Sequence, residues 1–372
     1  MKKQMVSVMM AAMMAASLVA GCSSQEKPAS QPAETTTAAA GTQAESVEKE
    51  TEAAKEKPDF TPAAELKAPE GKSLAVLPVD QKPDKEVRIA TIGMNTNPFD
   101  SFVYEGMVYA GEVLKDRNCK VDFMSIKEHN ITELEKMIRN CLAAGYDAIT
   151  VNGFGEQLQP LLTEAKEQGV TICTFNNPSG DNPEDGDGLS FWGQSGFDGG
   201  ASLGKMACEK LGGKGKYAII TGNFSLSGHE QRRLGFRSVA DTYEGMELVG
   251  EYENKDLYES AYELATNLIT ANPDLKCIYV TAGGPGGAAQ AIEDAGKSGE
   301  IVMVCHDWMP DTIPFVRSGV ISGVLDQEPF TQGYAPVIDA FNYVVGGVTP
   351  EKVNMIEGQI ATPENVNELI PE

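Results

Sequence analysis

Positive charge is scarce in this chain of 372 residues: 30 Lys and Arg stand against 54 Asp and Glu, for a net charge of -24. Such a polyanion has no basic footprint for nucleic acid and is repelled by anionic lipid headgroups, so neither is a partner for its surface. Histidine is scarcer still, with three residues, which argues against a zinc site. The cysteines form no CxxC or similar pair, which removes the common metal and redox motifs. No Gly-x-Ser-x-Gly elbow is present. The one glycine-rich run, Gly283-Gly284-Pro285-Gly286-Gly287, lacks the Lys-Ser/Thr of a phosphate-binding loop and reads as a tight strand-to-helix turn. No helix-turn-helix is recognisable. These absences leave no catalytic residue, cofactor or metal to assign.

Long apolar runs are also lacking, with one exception. Lys2 and Lys3 precede residues 5–20, an uncharged apolar stretch that is short for a permanent membrane helix. It ends in Leu18-Val19-Ala20-Gly21-Cys22. Small residues there let the chain enter a peptidase extended, and the thiol is the nucleophile that takes a diacylglycerol. The run resembles the lipobox of bacterial lipoproteins. The expectation is a signal peptide over 1–21, lipidation of Cys22, and a globular part outside the cytoplasm. Acyl chains would hold it at the outer face of the cytoplasmic membrane or facing the periplasm. Residues 22–86, rich in Ala, Glu, Thr, Lys and Pro, are expected to form a disordered tether. Their apolar patch, Leu74-Ala75-Val76-Leu77, is expected to rest on the folded part.

From residue 87 onward, short apolar strands alternate with amphipathic helices through residue 345, about ten strands in all. Strands apolar on both faces belong to parallel sheets covered on both sides. Helices between them imply right-handed crossovers. Ten strands exceed one comfortable core, so the fold class is α/β with two Rossmann-like lobes. The six cysteines beyond the leader (Cys119, Cys141, Cys173, Cys208, Cys277 and Cys305) lie in or beside these apolar elements and read as buried free thiols.

Ligands of open parallel sheets sit beyond the C-terminal ends of the strands. Those loops carry Asn97, Phe99 and Asp100, then Asn176-Asn177, Arg232, Asp256, Asp307-Trp308 and Gln327. Amides, carboxylates and a guanidinium can each satisfy two neighbouring hydroxyls, and an aromatic ring packs on the CH face of a pyranose. The set therefore suits a polyhydroxylated ligand.

Several motifs carry a resemblance. Asn97-Pro98-Phe99, Arg232-Arg233-Leu234-Gly235-Phe236, Asn272-Pro273-Asp274, Asp307 with Pro310-Asp311, and Gln327 together make the chain similar to the periplasmic sugar-binding proteins of the ribose-, galactose- and xylose-binding type. The effector domains of lac-repressor-like regulators share that fold. The resemblance spans residues 87–364. It implies two lobes joined by a three-stranded hinge with crossings near Gln194, Gln327 and Gly358. The lobes would be 87–194 plus 328–357 and 195–327 plus 358–372. It also implies a monomer that binds a sugar and docks on the membrane subunits of an ABC permease; a module feeding a chemoreceptor or sensor kinase is the alternative. The chain departs from the ribose binders in Asn176-Asn177, in Asp256, whose nearest ring is Tyr258, in Ala282-Gly283 and in Trp308. Ribose is thereby disfavoured, and Trp308 or Trp192 as a stacking face would favour a hexose or larger polyol.

Overall fold

The computed structural model describes residues 58–94, 97–127, 130–153, 155–179 and 182–371. The signal peptide, Cys22 and the first part of the tether lie outside the described residues, as do Asn95 and Thr96.

Twelve strands among the described residues form two six-stranded sheets. The first contains β1 (Val87–Gly93), β2 (Cys119–Ser125), β3 (Ala148–Asn152), β4 (Thr171–Phe175), β5 (Ser190–Gly193) and β11 (Val353–Met355), in the order β11-β5-β4-β3-β1-β2. The second contains β6 (Lys214–Thr221), β7 (Gly245–Glu253), β8 (Leu275–Val280), β9 (Val302–His306), β10 (Gly323–Leu325) and β12 (Ile360–Ala361), in the order β12-β10-β9-β8-β6-β7. Neighbours are parallel except β10 and β12. Helices α1 (Pro98–Leu114), α2 (Ile131–Ala144), α3 (Gln159–Glu167) and α9 (Pro329–Gly346) cover the first sheet. Helices α4 (Gly196–Lys210), α5 (Ser227–Ala240), α6 (Tyr258–Ala271), α7 (Pro285–Asp294), α8 (Ile313–Arg317) and α10 (Val366–Leu369) belong to the second. β3 and β4 are buried along their whole length, as strands covered on both faces must be. The chain passes between the sheets three times: after β5, between β10 and α9, and between β11 and β12.

Local chemistry sets the helix ends. Asn97, Asn130 and Ser195 cap α1, α2 and α4 by accepting from the backbone N–H three residues on. Gly145 ends α2 at φ 70°. The glycine-rich run turns β8 into α7 with Gly284 at φ 90°, a conformation open to glycine at little cost.

The tether expectation fails for residues 58–86, which are packed on the first lobe. Leu66, Leu74, Val76 and Val79 lie against its core, so the patch at 74–77 does rest there. The organiser is Arg117, fully buried. Its Nη2 donates to Thr61 O at 2.6 Å and Asp80 Oδ1 at 3.0 Å, and its plane lies over the Phe60 ring. Asn342 clasps the strap from α9, accepting from Val79 N at 2.8 Å and donating to Leu77 O at 2.9 Å. Low average hydropathy hid this segment, because a few apolar side chains and one buried guanidinium hold it. The six described cysteines are buried free thiols, and burial pushes their pKa values up.

Candidate functional site

The C-terminal half of the site is built on α5. Gly235 brings α5 against α4: a Cβ there would overlap the Phe197 carbonyl, and one on Gly200 would overlap the Arg232 carbonyl. Phe236 stacks on Tyr279 with centroids 4.5 Å apart. The Arg-x-x-Gly-Phe spacing puts all three residues on one side of α5, so the face that pins the helix also carries its arginine. Arg232 is 9 % exposed. Its Nη1 donates to Thr281 O at 2.9 Å and its Nη2 to Gln327 Oε1. Gln327, on the crossing after β10, donates in turn to Asp307 Oδ1. Arg232 Nε is buried with no hydrogen-bond partner among the described residues.

Asp307 sits at φ 76°, held by its N–H on Leu325 O at 2.8 Å and by Thr312 Oγ1 on its carbonyl at 2.9 Å. Burial pushes its carboxyl above the usual range, while Arg232 and the Gln327 amide pull it back. Beside it, His306 is fully buried and bonds Tyr279 Oη through Nε2 at 2.9 Å. Burial, then the Arg232 charge, hold that imidazole well below the usual histidine range, so it is neutral. Asp256, exposed and at φ 60°, accepts from Gly283 N at 2.9 Å. The buried Asn254 donates to Gly283 O at 2.7 Å. Together they brace the loops after β7 and β8.

The N-terminal half is a cluster of amides. Asn176 and Asn177 follow β4, Asn152 ends β3, and Gln332 lies in α9. Asn176 Nδ2 donates to Gln332 Oε1 at 3.1 Å, and Gln332 Nε2 donates to Gln327 O at 2.8 Å. One hydrogen-bonded chain therefore joins Asn177, Asn176, Gln332, Gln327, Arg232 and Asp307 across the crossing. The halves also approach directly: a Cβ on Gly228 would lie 3.1 Å from Asn177 Oδ1.

Of the residues singled out by sequence, Asn176, Asn177, Arg232, Asp307 and Gln327 thus come together. Asn97 is exposed and caps α1 through Asp100 N at 2.9 Å, Phe99 packs against Val103, Met107 and Phe175, and Asp100 is buried in the same first turn. Trp308 differs from the stacking role expected of it, whereas for Trp192 a core position is the commoner reading. Trp308 packs against the second lobe's core with its N–H on Val324 O at 2.9 Å. Trp192 packs in the first lobe with its N–H on Asp339 Oδ2 at 2.7 Å. The structure accounts for both as core side chains, because each indole N–H finds its partner inside its own lobe. Asn152, Gln332, Asn254 and His306 were missed. Asn152 ends a strand and is within reach of the loop rule; Gln332 is mid-helix and carries no sequence signal. Among the described residues no group of His, Cys, Asp and Glu comes together as a metal site, and no helix is long and apolar enough to cross a membrane.

Comparison with known proteins places this geometry. Residues 92–347 match the model of a family described as periplasmic binding protein domain. A D-ribose/D-allose-binding protein of Pseudomonas aeruginosa is 23 % identical over 64 % of this chain and 75 % of its own length. A xylitol-binding protein of Mycolicibacterium smegmatis is 24 % identical over 62 % of this chain and 66 % of its own. Among solved structures, a solute binding protein of Bacillus halodurans with bound myo-inositol superposes with TM-score 0.70 at 20 % identity, covering 77 % of this chain and 98 % of that one. At that identity the likeness is one of fold.

Proposed function

We propose, on the premise that this chain belongs to the periplasmic binding protein family, that it is a lipid-anchored extracytoplasmic receptor of an ABC importer. It binds a monosaccharide or related polyol between its lobes and hands it to the permease. Members of this family bind solutes without transforming them. The observation that carries the reading is the polar chain from Asn177 to Asp307. It links the C-terminal strand ends of both sheets through the crossing at Gln327. A ligand held by Asn176 and Asn177 on one side and Arg232 and Asp307 on the other draws the lobes 87–194 plus 328–357 and 195–327 plus 358–372 together. Asn97, Phe99, Asp100 and Asp256 complete the walls. The ligands named for the relatives above are neutral polyols, which supports the class. Cys22 supplies the anchor; mass spectrometry of protein recovered from membranes should find it diacylated, and an unmodified Cys22 would remove the anchor.

Thermal unfolding against a panel of pentoses, hexoses, polyols, disaccharides and nucleosides tests the function. One sugar or polyol should raise the midpoint saturably, by about 2.7 kcal/mol of stabilisation at a hundred times Kd. A panel without effect would overturn the receptor reading.

A further inference from the structure

We infer that Gln332 sets the hydrogen-bond polarity of the N-terminal half of the site, and that this polarity selects neighbouring neutral hydroxyls over a carboxylate. The inference rests on the receptor reading above.

The starting point is a backbone carbonyl, which can only accept. Gln332 Nε2 lies 2.8 Å from Gln327 O, so that end of the amide is its NH2 and Oε1 faces Asn176. Asn176 must answer with its own NH2, 3.1 Å away, and turn Oδ1 to the other side. There Asn152 Nδ2 donates to it at 3.2 Å and Asn177 Nδ2 at 2.9 Å. The other proton of Asn177 Nδ2 goes to Asn152 Oδ1 at 3.0 Å. Flipping Asn176 or Gln332 would set donor against donor or acceptor against acceptor. A single helical residue therefore fixes the orientation of the three asparagines. That residue is itself held in place: a Cβ on the adjacent Gly333 would overlap the Val103 carbonyl, so α9 lies tight on α1.

The polarity decides what the cluster can still bind. Both acceptor positions of Asn176 Oδ1 and both protons of Asn177 Nδ2 are used. One proton of Asn176 Nδ2 and the oxygen of Asn177 remain. One donor and one acceptor can serve a hydroxyl pair, in which each group gives and takes. A carboxylate only accepts, so it meets the donor and is repelled by the Asn177 oxygen. No Lys or Arg side chain hydrogen-bonds Asn176, Asn177 or Gln332 among the described residues.

Titration calorimetry on the full protein tests this with matched pairs: D-glucose and D-glucuronate, D-galactose and D-galacturonate, myo-inositol as a neutral polyol, and whichever neutral ligand the panel above identifies beside its own acid. The wild type should bind the neutral member at least 100-fold tighter than its acid. Gln332→Met keeps the volume but frees Asn176, and should cut that ratio at least tenfold. Gln332→Glu, when ionised, still accepts from Asn176 but cannot donate to Gln327 O. It should weaken affinity for the neutral ligand about tenfold and leave the neutral-over-acid ratio no lower than in wild type, since its charge only adds repulsion for a carboxylate. Residue 332 acting only as packing would give the reverse pattern, with Met harmless. Equal wild-type affinity for acid and neutral ligand, or an unchanged ratio in folded Gln332→Met, overturns the inference. Should Gln332→Met fail to fold, the wild-type ratio and the Gln332→Glu arm decide alone. A folded wild type that binds no neutral compound overturns the receptor reading itself, and this inference with it.

Discussion

The first lobe holds α9 against α1 where a Cβ on Gly106 would overlap the Phe330 carbonyl and one on Gly333 the Val103 carbonyl; the second holds α5 against α4 through Gly200 and Gly235 in the same reciprocal way. Each pair pins the helix that carries a site residue, Gln332 on α9 and Arg232 on α5. The lobes part ways in what those helices deliver. The second lobe presents a guanidinium and a carboxyl relayed through an amide, with Asp307 held in a left-handed backbone conformation. The first presents a hydrogen-bonded cluster of amides, and it alone wears the strap at 58–86. Backbone packing is thus the repeated part of the design, and the strand-end side chains are the part free to differ.

The largest effects should come from the shared device. Gly235→Val and Gly333→Val force a backbone overlap that side-chain rotation cannot relieve. Each should lose at least about 4 kcal/mol in urea unfolding, and a loss confined to one lobe would break the equivalence. Next is the charged half of the site. Asp307→Ala should weaken ligand binding by about 100-fold or more in calorimetry, since hydrogen bonds to a charged group are worth about 1.5–3 kcal/mol each. It should leave the fold intact, and retained affinity would show that the site lies elsewhere. Arg117→Ala should cost about 3 kcal/mol by leaving a cavity and unpaired carbonyls, and should open residues 58–86 to protease while the second lobe stays protected.

A smaller effect reports on the hinge. Asp326 lies on the crossing after β10, and burial raises its carboxyl from 3.8 to about 6, against the pull of the Glu328 and Gln327 N–H groups. The folded state therefore holds this proton longer than the unfolded chain. Its contribution is fully present below pH 3.8 and is lost as pH rises through about 6. Asp326→Asn should flatten the stability curve across that window by about 2 kcal/mol relative to wild type; parallel urea midpoints at pH 4.5 and 7 would refute this. Smallest are the caps. Asn97→Ala and Ser195→Ala, one per lobe, should each cost about 1 kcal/mol, and unequal losses would show that Asn97 does more than cap α1.

The local chemistry was legible without coordinates. Apolar strands alternating with capped helices dictated an α/β chain with two parallel sheets, because period and burial on both faces admit little else. The rule that ligands meet strand ends brought Asn176, Asn177, Arg232, Asp307 and Gln327 forward correctly as a group in space. Other features were beyond it. β11 and β12, of three and two residues, are too short to carry a period. The strap depends on Arg117, which finds Thr61 and Asp80 only after folding. Gln332 looks like any helical glutamine until the crossing at Gln327 brings a carbonyl within 2.8 Å. Sequence alone determined which residue types stand at the ends of the strands, since that follows from local periodicity. Only the tertiary structure decided which way their amides point and what the two lobes share, because hydrogen-bond polarity is set by partners distant in the chain.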